Sequence, residues 1–334
     1  MCTCITMKTI ENKSFFGRNM DFSHDIDPHF FVAPRQYIWK SAADMKRITT
    51  KYKFIGIGQQ LDGLLAFFDG VNETGFAAAA LYFSGYAKYD SLYHNTKKIQ
   101  LAAFDFLKYL LGGCATVFDV KQAVKEVSLI GIADPVTKTA APLHWIATDK
   151  GGRCVVIEKT EKGFAVFQNQ IGVLANAPDF PWHMANLNNY CNITSTQRED
   201  VQWGKLKLSP PSQAGGTLGL PGGFASPERF VRTAFIKTHA STPLDDDSAV
   251  GLCFQCLKSV SIPKGVVITG RNTSDYTLYT AFVNQEKGEY FVNTHTNQQI
   301  YKASINEGKY EQSGQELLDL GSIFKPVEFL PFCH

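Results

Sequence analysis

No apolar run in this chain is long enough to cross a bilayer. The longest, such as Phe76 to Phe83, fall far short of the ~20 residues a span requires. Nor is there an excess of either charge: 33 basic side chains face 31 acidic ones, and neither a basic nor an acidic tail is present. That balance argues against nucleic acid and anionic membrane as partners. A signal or transit peptide is also missing, since Lys8, Glu11 and Lys13 interrupt the start. These absences leave a soluble, cytoplasmic protein as the expectation.

A dense cysteine framework is lacking as well. The eight cysteines (2, 4, 114, 154, 191, 253, 256 and 333) are scattered through 334 residues, which reads as mostly buried thiols. Cys253 and Cys256 have CxxC spacing but no second ligand pair, so a zinc site is not expected. The chain contains no G-x-S-x-G elbow, no H-E-x-x-H pair and no phosphate-binding G-x-x-x-x-G-K-[ST] loop. Gly56-Ile57-Gly58 lacks the third glycine of a dinucleotide fingerprint. His24, Asp25, Asp27 and His29 could suggest a metal, but they read better as a solvated turn after a strand.

What is present begins at residue 2. The chain opens Met1-Cys2-Thr3-Cys4. If Met1 is removed, Cys2 carries a thiol and a free α-amine, which titrate near ~8.5 and ~7.7–8.0 in reference compounds. One residue then supplies both a nucleophile and a general base. With Met1 attached, the Cys2 nitrogen is a peptide nitrogen and cannot act as a base.

Thr3 to Thr9 and Ser14 to Phe22 read as two strands joined by the polar turn Glu11-Asn12-Lys13. That places Cys2 at the head of one strand, with Arg18 and Asp21 on its partner. Further strands are expected at 29–33, 53–58, 64–69 and 76–83, then at 143–148, 153–159 and 164–168, and finally at 276–284, 289–294 and 298–304. Apolar spacing of three and four predicts helices at 101–111, 117–128, 226–239 and 246–260. Residues from about 177 to 224 are irregular and rich in Asn, Pro and Gly, and the tail after 306 is weakly patterned. The order of strands, helices, strands, helices and strands fits an α+β architecture: antiparallel sheets packed face to face with helices outside, in one domain over 1–334.

Certain motifs are more specific. Cys2-Thr3 and Phe16-Gly17-Arg18-Asn19-Met20-Asp21 resemble the opening of the choloylglycine hydrolase family, N-terminal nucleophile hydrolases that include bile salt hydrolases and penicillin V acylases. The similarity continues through Asp69 to Gly75, Ala80 to Phe83, Pro142 to Trp145, Val173 to Pro178 and Ser226 to Arg232, in the family's order across roughly 2–305. The resemblance implies a four-layer αββα fold, no metal or organic cofactor, and a homotetramer held partly by an extended arm, which falls at about 188–223.

It also implies roles. Cys2 is the nucleophile, and Arg18 is the cation that favours its thiolate. Asp21 accepts from the freed α-amine. Asn176 and the backbone N–H of Tyr82 stabilise the oxyanion. Arg229 binds nearby carboxylates or polarises the site. Tyr82 is where penicillin V acylases are similar to this chain, whereas bile salt hydrolases often carry asparagine. A phenoxyacetyl acyl group is therefore the first expectation, in a pocket of Phe22, Tyr82, Phe83 and Phe180. Conjugated bile salts are the alternative, followed by N-acyl homoserine lactones. One departure stands out: many relatives carry an acid where this chain has Gly223.

Overall fold

The computed structural model describes residues 1–93, 97–307 and 316–328. Two antiparallel sheets form its centre. The six-stranded sheet runs in the order Val173–Leu174, Cys2–Lys8, Ser14–Phe22, Tyr276–Asn284, Glu289–Thr294, Tyr301–Ser304. The eight-stranded sheet runs Gly163–Gln168, Cys154–Thr160, Leu143–Thr148, Ala77–Tyr82, Leu64–Asn72, Phe54–Leu61, His29–Ala33, Leu318–Ser322. Helices Ser226–His239 and Asp246–Lys258 pack on the first sheet, and Phe106–Gly113 and Val117–Glu126 on the second. The layers are α, β, β, α, as expected.

Strand parity explains how one sequence serves two cores. Successive side chains of a strand point to opposite faces. In the eight-stranded sheet, Phe30, Val32, Ile55, Ile57, Ala79 and Leu81 join the core between the sheets. Their neighbours Phe31, Ala33, Phe54, Ala78 and Trp145 join the core beneath the helices. Each large apolar side chain buried this way contributes about 1.5–3 kcal/mol relative to leaving it exposed. Both faces being covered, the strands read as continuous apolar runs.

Several elements differ from expectation. The apolar stretch from 99 is first a strand, Ile99–Ala102, paired in parallel with Val127–Ile130; the helix begins only at Phe106. A short buried apolar run does not reveal by period which of the two it is. The weakly patterned tail supplies an edge strand, Leu318–Ser322, which pairs with His29–Ala33. The irregular stretch holds a helix, Phe180–Asn186, and an exposed hairpin, Val201–Trp203 with Leu206–Leu208. Among the described residues no helix is long and apolar enough to cross a membrane.

Candidate active site

The hairpin of Cys2–Lys8 and Ser14–Phe22 sets the geometry. Its register puts Cys2 opposite Met20, Thr3 opposite Asn19 and Cys4 opposite Arg18. By parity, Cys2, Arg18 and Met20 face the other sheet, while Thr3, Asn19 and Asp21 face the helices. Gly17 lets the strands pass: a Cβ there would lie 2.2 Å from the Phe282 ring and 2.5 Å from the Ala281 carbonyl.

On the inner face, Arg18 Nη2 donates to Cys2 Sγ at 2.6 Å. Its Nη1 donates to the carbonyls of Phe68 (2.8 Å) and Ala80 (2.9 Å) in the opposite sheet, so one guanidinium pins the sulfur and bridges the sheets. Asp69 Oδ2 lies 3.9 Å away and accepts from Tyr279; Oδ1 accepts from Tyr290. Burial pulls the Arg18 pKa down, but Cys2, Tyr279, Cys4 and Asp69 outweigh it and leave the pKa raised. Burial raises the Asp69 pKa, with Arg18 and the two tyrosines opposing it.

On the outer face, Arg229 enters from the first turn of helix Ser226–His239 and is fully buried. It donates to the carbonyls of Cys2 (2.6 Å) and Phe224 (2.9 Å), to the Thr3 hydroxyl, and to Asn176 Oδ1 (2.7 Å). Asp21 Oδ2 is 3.7 Å from it. Asp21 Oδ1 accepts from the Thr277 hydroxyl at 2.5 Å, while Oδ2 is buried with no hydrogen-bond partner among the described residues.

Asn176 is held at every polar atom. Its N–H donates to Ser226 Oγ and its carbonyl accepts from His183 Nε2. Its Oδ1 accepts from the Cys2 nitrogen at 2.7 Å, and its Nδ2 donates to the Tyr82 carbonyl at 2.8 Å. With Met1 attached, the Cys2 peptide N–H thus goes to Asn176, whereas the expectation for Asp21 concerns the α-amine freed when Met1 is removed. An amide nitrogen has two hydrogens, so one Nδ2 hydrogen is left for a ligand.

Met1 extends the ladder by a pair. It donates to Asp21 O at 2.7 Å and accepts from Asp21 N at 3.0 Å, with its ammonium 3.2 Å from Asp275. The Tyr82 N–H is aimed by register. Phe83 N–H, not that of Tyr82, crosses to Pro142 O at 2.7 Å, so Tyr82 forms a non-hydrogen-bonded pair with Leu143. Its N–H and C=O therefore turn the other way, towards Asn176 and the Ala80 carbonyl that Arg18 grips.

Cys2 and Arg18 form the base of an open cleft with about 780 Å³ of empty space. Phe22 and Tyr82 line it as expected, with ring centroids 5.7 Å apart. Burial, with Asp134, pushes the Tyr82 phenol up to about 12. Phe83 and Phe180 do not reach the cleft. Phe83 turns to the opposite side of its strand and stacks on His144 at 4.4 Å. Phe180, at the start of its helix, packs against Phe167 and Phe230. The walls are instead Ile26, Leu61, Leu64, Phe68, Val136 and Leu143, which sequence reasoning missed because they come from four separate segments.

The other candidates fall elsewhere. His29 is bound by Asp319 (2.9 Å) and Asp27 (3.3 Å), and Cys253 and Cys256 are buried thiols in a helix. Gly223 donates its N–H to Glu228 at 3.2 Å, and a Cβ at 223 would meet that carboxylate at 2.2 Å. Glu228 thus occupies the space a side chain at 223 would take.

A cysteine at the head of a central strand in a four-layer sandwich, gripped by an arginine, defines the N-terminal nucleophile hydrolase fold class. The model for linear amide C–N hydrolases, choloylglycine hydrolase family, matches residues 2–317, and the chain belongs to that family. It is 35% identical over 309 residues to a bile salt hydrolase/transferase of Clostridium perfringens, covering 92% of this chain and 93% of that protein. The conjugated bile acid hydrolase of Clostridium perfringens, solved as the C2A mutant, superposes with a TM-score of 0.90 at 31% identity over 99% of this chain and 100% of that one. A penicillin V acylase of Pectobacterium atrosepticum is 23% identical over 91% of this chain and 81% of that protein.

Proposed function

We propose that this linear-amide hydrolase uses Cys2 as its nucleophile to cleave conjugated bile acids, at the amide between a steroid acyl group and an amino acid. The observation that carries the reading is Arg18 Nη2 at 2.6 Å from Cys2 Sγ, at the base of a largely apolar cleft. A fixed cation complements the charge of an attacking thiolate. Removal of Met1 frees the Cys2 amine, which takes the thiol proton, and sulfur attacks the carbonyl. The remaining Asn176 Nδ2 hydrogen and the Tyr82 N–H hold the oxyanion. The amine returns its proton to the leaving nitrogen, and water opens the thioester. An amine could take the place of water, in keeping with relatives named both hydrolase and transferase.

The sequence put penicillin V first. The weight moves to bile conjugates because relatives named for that activity are 35% and 33% identical, against 23% for a penicillin V acylase. Aliphatic walls also suit a polycyclic acyl group. Penicillin V is the second reading, favoured by the rings of Phe22 and Tyr82 at the cleft, since an aromatic contact adds about 0.5–1.5 kcal/mol beyond burial. The arm at 188–223 exposes Trp203, Leu206 and Leu218 (72%, 61% and 75%), which supports its use in a homotetramer.

Processed protein is tested on glycine and taurine bile conjugates and on penicillin V. A kcat/KM at least about tenfold higher for the conjugates is expected; the reverse preference would overturn the substrate reading. Cys2→Ala should turn over neither substrate. Intact mass of the active fraction should lack Met1, and full activity with Met1 retained would sink the mechanism.

A further inference from the structure

The six-stranded sheet is entered through a built turn whose tip bonds to Ser23, the residue after the cleft wall Phe22. Ile268 bridges Ser274, and Thr269 and Thr273 pair through both backbone (2.8 Å) and hydroxyls (2.7 Å). Gly265 N–H donates to Ser274 Oγ at 2.7 Å, tying the turn's base. Arg271 stands at the tip, exposed, with Nη2 donating to Ser23 Oγ at 2.8 Å. It forms no ion pair among the described residues.

Ser23 locates this cation relative to the chemistry. It follows Phe22, a wall of the cleft, and precedes His24, whose ring lies 5.0 Å from that of Phe22. It is three residues from Met20, which is opposite Cys2, so about 10 Å along an extended chain. The charge of Arg271 is felt on both sides of the opening, since it contributes to lowering the His24 pKa, after burial, and opposes the rise at Tyr82. Among the nearby acids, Asp134 accepts from the N–H groups of Val136 and Thr137, and Asp25 is exposed. Asp275 holds the Met1 ammonium and loses that partner when Met1 leaves, so it is the acid that competes for Arg271 in the processed enzyme.

The geometry points to Arg271 as the anchor for an acid group, carboxylate or sulfonate, at the far end of the substrate's amine half. This rests on the bile-conjugate reading for its first substrates. An acyl group lying in the apolar cleft with its carbonyl at Cys2 directs the amine half out through the mouth. The one-carbon tether of glycine or the two-carbon tether of taurine, with one hydrogen bond of ~3 Å, extends that half towards Ser23, on which the guanidinium rests. The same anchor would serve any amide whose amine half ends in an acid, penicillin V included.

Matched pairs test it: taurocholate and glycocholate against cholyl ethanolamide, and penicillin V against phenoxyacetyl ethanolamide. Arg271→Gln should raise KM for the acid-ended member of the pair that is turned over by about three- to tenfold, with kcat unchanged. KM for the neutral member should move less than about twofold. Arg271→Lys should recover part of the loss, and the salt dependence of KM should flatten in Arg271→Gln. Equal effects on acid-ended and neutral amides, or none on either, would overturn the anchor. Turnover of the phenoxyacetyl pair alone would instead overturn the bile reading, and the anchor would then be judged on that pair.

Discussion

The chain keeps arginines inside and some of its largest apolar side chains outside. Arg18 and Arg229 are 1% and 0% exposed beside Cys2, while Trp203 and Leu218 on the arm are 72% and 75% exposed. Burying an ion costs several kcal/mol unless its donors are matched. Around Cys2 they are: Arg18 and Arg229 each reach several carbonyl, sulfur or amide acceptors. The arm contributes little to its own core and is joined by a two-strand hairpin. The contrast sets cations buried beside the cysteine at a cost in solvation against apolar side chains left in solvent on the hairpin and its flank.

The sharpest way to break the comparison is at Asn176. Asn176→Ala should lower kcat by about 10²–10³ with a smaller change in KM, measured on the preferred conjugate. An equal loss through KM alone would move Asn176 from oxyanion to substrate binding.

Next comes the acid limit of the polar interior. Burial lowers the His183 pKa to about 4, outweighing the bond to the Asn176 carbonyl, from an ordinary 6.5. The unfolded chain therefore binds a proton between those values that the folded one refuses. Stability is complete above about 6.5 and is lost as pH falls to about 4, by on the order of 3 kcal/mol. Urea midpoints across that window should be flatter in His183→Gln, which keeps a donor without the titration.

Smaller is the effect expected at Thr277. Its hydroxyl accepts from Ile262 N–H at 2.8 Å, so its proton goes to Asp21 Oδ1. Thr277→Val should lower kcat by about tenfold while Thr277→Ser restores it, the bond being a charge-assisted one of about 1.5–3 kcal/mol. Loss in both variants would make the residue a packing element only. Least costly to the monomer is the arm. Trp203→Ser with Leu206→Ser should change monomer stability by no more than about 0.5 kcal/mol while dissociating the assembly in sedimentation. An unchanged sedimentation coefficient would refute its role as an assembly arm.

Much of the site was legible because its residues lie on short, ordered motifs. Cys2, Arg18 and Asp21 share a hairpin whose turn and alternation are visible. Asn176 and Arg229 were found by resemblance, not by any local pattern. Phe83 and Phe180 were misplaced because type and proximity in sequence say nothing of parity: Tyr82 and Phe83 are neighbours on opposite faces. Thr277 and His183 carried no signal, since each acts through a partner seven or more residues away, and Asp69 was marked by resemblance without its tyrosine partners.

Alone, the sequence determined most of the order of strands and helices, the cysteine behind the initiator methionine, and the cation on the strand paired with it. These follow from side-chain periodicity and local turn chemistry, which depend on neighbours in the chain. Only the tertiary structure decided that Asn176 takes the Cys2 peptide N–H while Met1 is attached, and which aliphatic residues wall the cleft. Those outcomes depend on how two sheets and a helix converge, and burial leaves each polar atom only the partners that packing brings within hydrogen-bond reach.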